Sequence, residues 1–176
     1  METLHELLVD EIKDLFSAEN QLTKALPKMA KAATNADLRR AFETHLRETE
    51  GHVRRLEQVA ERLEASPRGK KCMGMEGLVA EGKELISEKP DEQVLDAGLI
   101  GAAQKVEHYE IAAYGTARAH AEQMGHTEVA RLLQQTLEEE SAANEKLTMI
   151  AEQMVNRQAN QQNMAGDGAG RQMARR

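Results

Sequence analysis

Apolar residues recur at alternating three- and four-residue intervals along most of the chain, and that spacing commits it to long packed helices. The first stripe, Leu4, Leu8, Ile12, Leu15, Leu22, Leu26, Met29 and Ala33, predicts a helix over about residues 2–33. Pro27 lies within it and can kink it, because proline removes one backbone donor. A second helix, about 36–64, carries Leu38, Ala41, Leu56, Val59 and Leu63, with Thr34 or Asn35 as its cap. A third runs from Pro90–Asp91 to Met124 on Ile100, Ala103, Tyr114, Ala117 and Ala121, with Gly125 in the usual position after a helix end. The fourth begins almost at once, on Val129, Leu133, Thr136, Ala143, Leu147, Ile150 and Met154.

The connections set the topology. Short breaks after the first and third helices predict two antiparallel hairpins. The link between them, roughly 65–90, opens with ASPRGKKC and contains GMEGLVAEGKELISEK, a short extra helix. An up-down-up-down bundle needs only a few residues there, whereas a ferritin-like bundle with one long crossover needs about this many. Aromatics are 2% and Trp is absent, which argues against a β-sandwich or barrel. The expected fold is therefore all-α: a ferritin-like four-helix bundle of residues 1–156, followed by a disordered tail over 157–176 that lacks an apolar period.

Several function classes are excluded. A formal net charge of -7 does not suit a general nucleic-acid binder. The lone Cys72 forms no internal disulfide and fits a reducing compartment. The N-terminal METLHELLVDEIKDLF has no basic start followed by an apolar run, and no segment is apolar enough to span a bilayer. A soluble cytoplasmic protein without nucleic-acid or membrane partners is the expectation.

The core stripes are interrupted by charge. Glu19 falls on the core line of the first helix, and His45, Glu48 and His52 fall on that of the second. Glu107 and Glu110 align with Ala103 and Tyr114, and Glu140 aligns with Thr136 and Ala143. At ~1.5 Å per residue, Glu19, Glu48, Glu110 and Glu140 each lie ~20–24 Å from a hairpin turn, which is mid-height in the bundle. Ionised carboxylates cannot share a dry layer unaided, since each buried charge costs several kcal/mol. Either some protonate or cations neutralise them. An oxygen-rich set with one or two imidazoles suits a pair of Fe or Mn ions.

The segments DLFSAENQL, HLRETEGHVRRLEQV, AAQKVEHYEIAAYG and LEEESAANEKL, with KKCMGMEGL in the crossover, resemble the bacterial stress proteins of the YciF type over about residues 1–155. The resemblance implies a ferritin-like bundle, a homodimer, induction under stress and a di-metal centre. More distantly, Glu107, Glu110, Tyr114 and GHTEVARLL are similar to rubrerythrin. That pattern would place a second His at Ala143 and a His at Gly51, and this chain has neither. The expected metal residues are Glu19, His45, Glu48, Glu107, Glu110 and Glu140. His45 is preferred to His52 because HL-x-ET is the family-like part. His52, Tyr114 and Asn144 are outer partners, Asn144 or water being able to fill the missing His position, and His108 stands one step off the stripe. The resemblance brings no reaction with it; the activity expected of a di-iron or di-manganese centre is oxidase-, peroxidase- or catalase-like, on O2 or peroxide in oxidative-stress protection. The alternative is a metal-free structural or interaction protein that has kept the bundle.

Three further features have bland readings beside sharper ones. Arg68, Lys70 and Lys71 near Cys72 would lower its thiol pKa, although a lone loop cysteine is commonly incidental. Tyr114, one turn from the acidic layer, either hydrogen-bonds a ligand carboxylate, takes part in one-electron chemistry, or is a core aromatic whose hydroxyl finds a partner. Leu46, Val53, Leu56 and Ala60, with Leu7, Phe16 and Leu22, form second apolar stripes that favour a homodimer.

Overall fold

The structure, a computed structural model, describes residues 1–161. Among these, five α-helices occur in the order α1 (Leu4–Ala32), α2 (Ala36–Arg62), α3 (Met73–Glu88), α4 (Glu92–Gln123) and α5 (Thr127–Ile150). A π-helical turn over Ala151–Val155 follows, and helix resumes over 156–161, past the Arg157 at which the composition changes. The remainder of the expected tail lies outside the described residues.

Each boundary has a local cause. Thr3 caps α1 in a reciprocal box with Glu6, and Asn35 caps α2 by accepting from the backbone N–H groups of Asp37 and Leu38. Pro27 sits on the exposed face of α1, which continues through it to Ala32. Gly125 adopts a φ of 75° between α4 and α5, a conformation that glycine enters without the steric penalty of a Cβ.

Side-chain contacts fix the topology. Glu11 meets His120 and Glu19 meets Tyr114, so α4 runs antiparallel to α1. Arg55 meets Thr136 and His52 meets Glu139, so α5 is antiparallel to α2, and the short connection from Gln123 to Thr127 with Gln104 on Thr148 makes it antiparallel to α4. The helices therefore form a ring α1–α2–α5–α4, and the parallel pair α2 and α4 is joined by the long crossover. α3 within that crossover packs on α4 and α1. This is the ferritin-like arrangement.

The core is divided in two. One apolar cluster contains Leu22, Leu26, Phe42, Met75, Leu99 and Leu147; the other contains Leu8, Ile12, Leu56, Val59, Tyr114 and Leu133. Leu22, Leu56 and Ala60 of the second stripes are buried within this chain, while Leu7, Phe16, Leu46 and Val53 are half-buried. The surplus apolar surface expected from periodicity alone is correspondingly smaller.

One buried carboxylate fastens the bundle end. Asp96 on α4, 3% exposed, accepts from Thr34 N–H at 2.8 Å, Thr34 Oγ1 at 2.6 Å and Asn35 N–H at 2.8 Å. Thr34 is thus engaged by Asp96 while Asn35 does the capping. Three donors share this acceptor, and hydrogen bonds to a charged group are worth about 1.5–3 kcal/mol each. Asp96→Ala is expected to lower the unfolding free energy by about 3 kcal/mol in urea titrations, with the helical circular dichroism of the native state retained.

Candidate metal centre

Between the two apolar clusters lies a layer built by all four bundle helices. α1 contributes Glu19, α2 contributes His45, Thr49 and His52, α4 contributes Glu107 and Glu110, and α5 contributes Thr136 and Glu140. Every one is buried, and Glu19, His52, Glu110 and Glu140 show no exposed surface. The donor atoms of His45, Glu107, Glu110 and Glu140 lie within 4.8 Å of one another, as do those of Glu19, His52 and Glu140. Glu140 belongs to both groups, so two adjacent cation sites would share it.

The α2 face differs from its expected register. The buried positions are 45, 49 and 52, so Thr49 occupies the line assigned to Glu48. The Glu48 side chain is 41% exposed and stands outside both groups. It approaches His45 Nδ1 at 3.3 Å instead. The His45 Nε2 edge then faces Glu107 Oε1 at 3.4 Å and Glu140 Oε2 at 3.5 Å.

His52 lies inside the cluster, rather than outside it as an outer partner. Its Nδ1 is 2.9 Å from Glu140 Oε1 and 3.3 Å from Glu19 Oε1, although neither contact has hydrogen-bond alignment. Its Nε2 pairs with Glu139 Oε2 at 2.8 Å. Arg55 grips both oxygens of Glu139, at 2.9 and 3.1 Å, and donates to Thr136 Oγ1 at 2.6 Å. Each imidazole therefore has one nitrogen engaged by an outer carboxylate and the other turned to the layer. That is the arrangement by which metal-binding histidines are oriented. Tyr114, fully buried, donates to Glu19 Oε1 at 2.5 Å, so its hydroxyl has a partner and that partner is a carboxylate of the layer.

The remaining candidates face elsewhere. Asn144 is half-buried and accepts from Gln104 Nε2 at 3.3 Å. His108 is exposed, with Nδ1 on the Gln104 carbonyl at 2.8 Å. Cys72 is buried at the start of α3, 2.9 Å from the Tyr109 hydroxyl, and burial pushes its thiol pKa up. The lowering expected from its basic neighbours does not occur, because Lys70 pairs with Asp10 and Lys71 with Glu76. Glu139 and Arg55 escaped the sequence reading. The available signal was the acidic run Glu138–Glu140 opposite an arginine one turn beyond His52.

Electrostatics in the layer follow from burial against pairing. Burial lifts Glu107 to about 8, partly opposed by His45, and Glu110 well above its usual 4.5, with Glu19 and Glu140 adding to the rise. Burial would lower both imidazoles, but the facing carboxylates outweigh it, so His45 rises to about 9 and His52 to about 11. Glu140 is held below its usual value: burial would raise it, but His52 and His45 prevail. Many donor atoms nonetheless lack a hydrogen-bond partner: Glu19 Oε2, His45 Nε2, His52 Nδ1, Glu107 Oε2 and both oxygens of Glu110 and Glu140. Buried polar atoms are rarely left in that condition, and these are the lone pairs that one or two cations would take up. The residues present fit a metal.

Comparisons with known proteins agree with this architecture. Residues 3–160 match the family described as a domain of unknown function, DUF892. The chain is 48% identical over 161 residues to Protein YciF of Escherichia coli (strain K12), covering 90% of this chain and 96% of that protein. The crystal structure of the E. coli stress protein YciF superposes with a TM-score of 0.86 at 47% identity, over 89% of this chain and 99% of that one. YcfI from Rhodopseudomonas palustris gives 0.83 at 46% identity, over 86% and 96%. A Xanthomonas campestris pv. campestris protein, 22% identical with a TM-score of 0.73 over 92% and 99%, shares the fold.

The layer predicts an unusual pH dependence without metal. Glu107 and Glu110 keep their protons in the fold above 4.5, where the unfolded carboxyls have lost theirs. Stability that is present below that value is therefore lost as pH rises toward about 8. His45 and His52, raised as well, add loss of the same sign above their ordinary 6.5. Calorimetry of chelator-treated protein is expected to show Tm falling steadily between about pH 5 and pH 8, and Glu110→Gln to flatten that slope by about 1.4 kcal/mol per pH unit at most.

Proposed function

The chain belongs to the DUF892 family of YciF-like proteins, and from that premise we propose that it is a di-metal carboxylate stress protein. It binds two Fe or Mn ions in the mid-bundle layer and handles O2 or peroxide in oxidative-stress protection, as a cytoplasmic homodimer. The observation that carries this reading is the pair of donor groups sharing Glu140, with their inward lone pairs unmet by protein.

The chain's own residues have separable roles. Glu48 holds His45 through Nδ1 and leaves Nε2 for a cation; Glu139 holds His52 through Nε2 and leaves Nδ1. Arg55 fixes Glu139, and Tyr114 fixes Glu19. Two imidazoles on α2 offset the His that is absent at Ala143. Metal binding would require the raised carboxyls and imidazoles to release protons, so affinity should increase with pH. Bound ions would supply polarisation of an O–O bond and redox electrons.

A metal-free reading has one observation in its favour: His45 and His52, when protonated, neutralise the facing carboxylates without any cation. Metal analysis separates the two. After anaerobic loading with Fe(II) or Mn(II), two ions per chain are expected, a rise in Tm at pH 7, and fewer than one ion per chain in Glu140→Ala. Glu139→Gln should weaken uptake about 10- to 100-fold through the freed imidazole. No stoichiometric metal, together with stabilisation by Glu140→Leu irrespective of iron, would establish the structural reading. Size-exclusion chromatography with light scattering tests the dimer.

A further inference from the structure

The layer is approached by more space than hydrogen peroxide needs. A cleft of about 180 Å³ between α2 and α5 reaches His45 and Glu107. Ala41, Phe42, Ala142, Ala143 and Leu147 supply its apolar walls. At the inner end, His45 Nε2 and Glu107 Oε2 are buried without a hydrogen-bond partner. We propose that this cleft binds the alkyl group of an organic hydroperoxide, with the –OOH group turned toward His45 and Glu107. The inference rests on the di-metal reading and names the substrate class of that same site.

Size, polarity and charge agree on the occupant. An apolar cavity of about 150 Å³ accommodates benzene, so this cleft takes a group of tert-butyl size. Hydrogen peroxide is polar at both ends and would leave one end against alkyl walls, where an unmade hydrogen bond costs free energy. A hydroperoxide with one alkyl end matches the apolar walls, and its polar end then lies on the side where His45 and Glu107 would hold the cations. The lining carries charge of both signs, Lys146 beside Glu48 and Glu139, and so offers no single-sign field to a charged ligand. Small side chains at Ala142 and Ala143 keep the space open on the α5 side. In the reaction the O–O bond breaks and the hydroperoxide leaves as alcohol and water, taking up two protons and two electrons. Two iron(II) ions held by the layer would supply those two electrons, one each.

tert-Butyl alcohol, which cannot react, probes the cleft directly in full-length protein, both metal-free and zinc-loaded. With methyl-labelled alanines, chemical shifts are expected to move at Ala41, Ala142 and Ala143, and the apparent affinity to fall at least tenfold in Ala143→Phe. In Fe(II)-loaded protein, the ratio of the tert-butyl hydroperoxide rate to the hydrogen peroxide rate should fall at least tenfold in the same variant. Shifts that are absent or scattered over the surface overturn the cleft, as does a rate ratio that Ala143→Phe leaves unchanged. Failure to take up metal counts separately, against the di-metal reading, because the metal-free titration still reports on the cleft.

Discussion

The burial of four carboxylates and two imidazoles in one cross-section of the bundle is the constraint on which everything else in this protein depends. Glu19, Glu107, Glu110, Glu140, His45 and His52 interrupt what would otherwise be one continuous apolar core, splitting it into two clusters. Each buried charge carries a desolvation penalty of several kcal/mol, and replacing such a set with well-packed apolar residues is commonly neutral or stabilising. Stability alone therefore gives no reason for the layer. Its outer supports have the same implication: Arg55, Glu139, Glu48 and Tyr114 are arranged to hold the inner side chains still.

Most of the fold could be read from periodicity, since a stripe at three- and four-residue spacing leaves a long segment few alternatives to an amphipathic helix. The hairpins and the long crossover followed from connection lengths, and the depth of the acidic residues from counting along helices of known rise. The α2 register did not follow. Between His45 and His52 the intermediate core position can lie at either three or four residues, and sequence weighs a glutamate at 48 against a threonine at 49. The structure buries Thr49 with both histidines and leaves the Glu48 side chain 41% exposed. Cys72 misled for a related reason. Its basic neighbours are close in sequence, but their ammonium groups are drawn off to Asp10 and Glu76, leaving the thiol against Tyr109.

Glu139 shows what one-dimensional patterns miss in a bundle. On its own helix it is one of three consecutive glutamates on the flank of the core line. Its role comes from α2, where His52 and Arg55 sit one turn apart and meet the same carboxylate. Such pairings across helices have no fixed separation in sequence. They become visible only once the ring order α1–α2–α5–α4 is known.

Placing both imidazoles on α2 also shapes access to the layer. A histidine at position 143 would project from α5 beside Glu140 and fill the space between α2 and α5. Ala143 leaves that space empty, and Ala142 extends it. The second imidazole of the layer is His52, which is fully enclosed and does not line the cleft. His45 is then the imidazole at the boundary between cleft and layer, held from outside by Glu48. Carrying both imidazoles on α2 thus leaves one side of the layer open, so the composition of the layer and the shape of the approach are consequences of a single choice of helix.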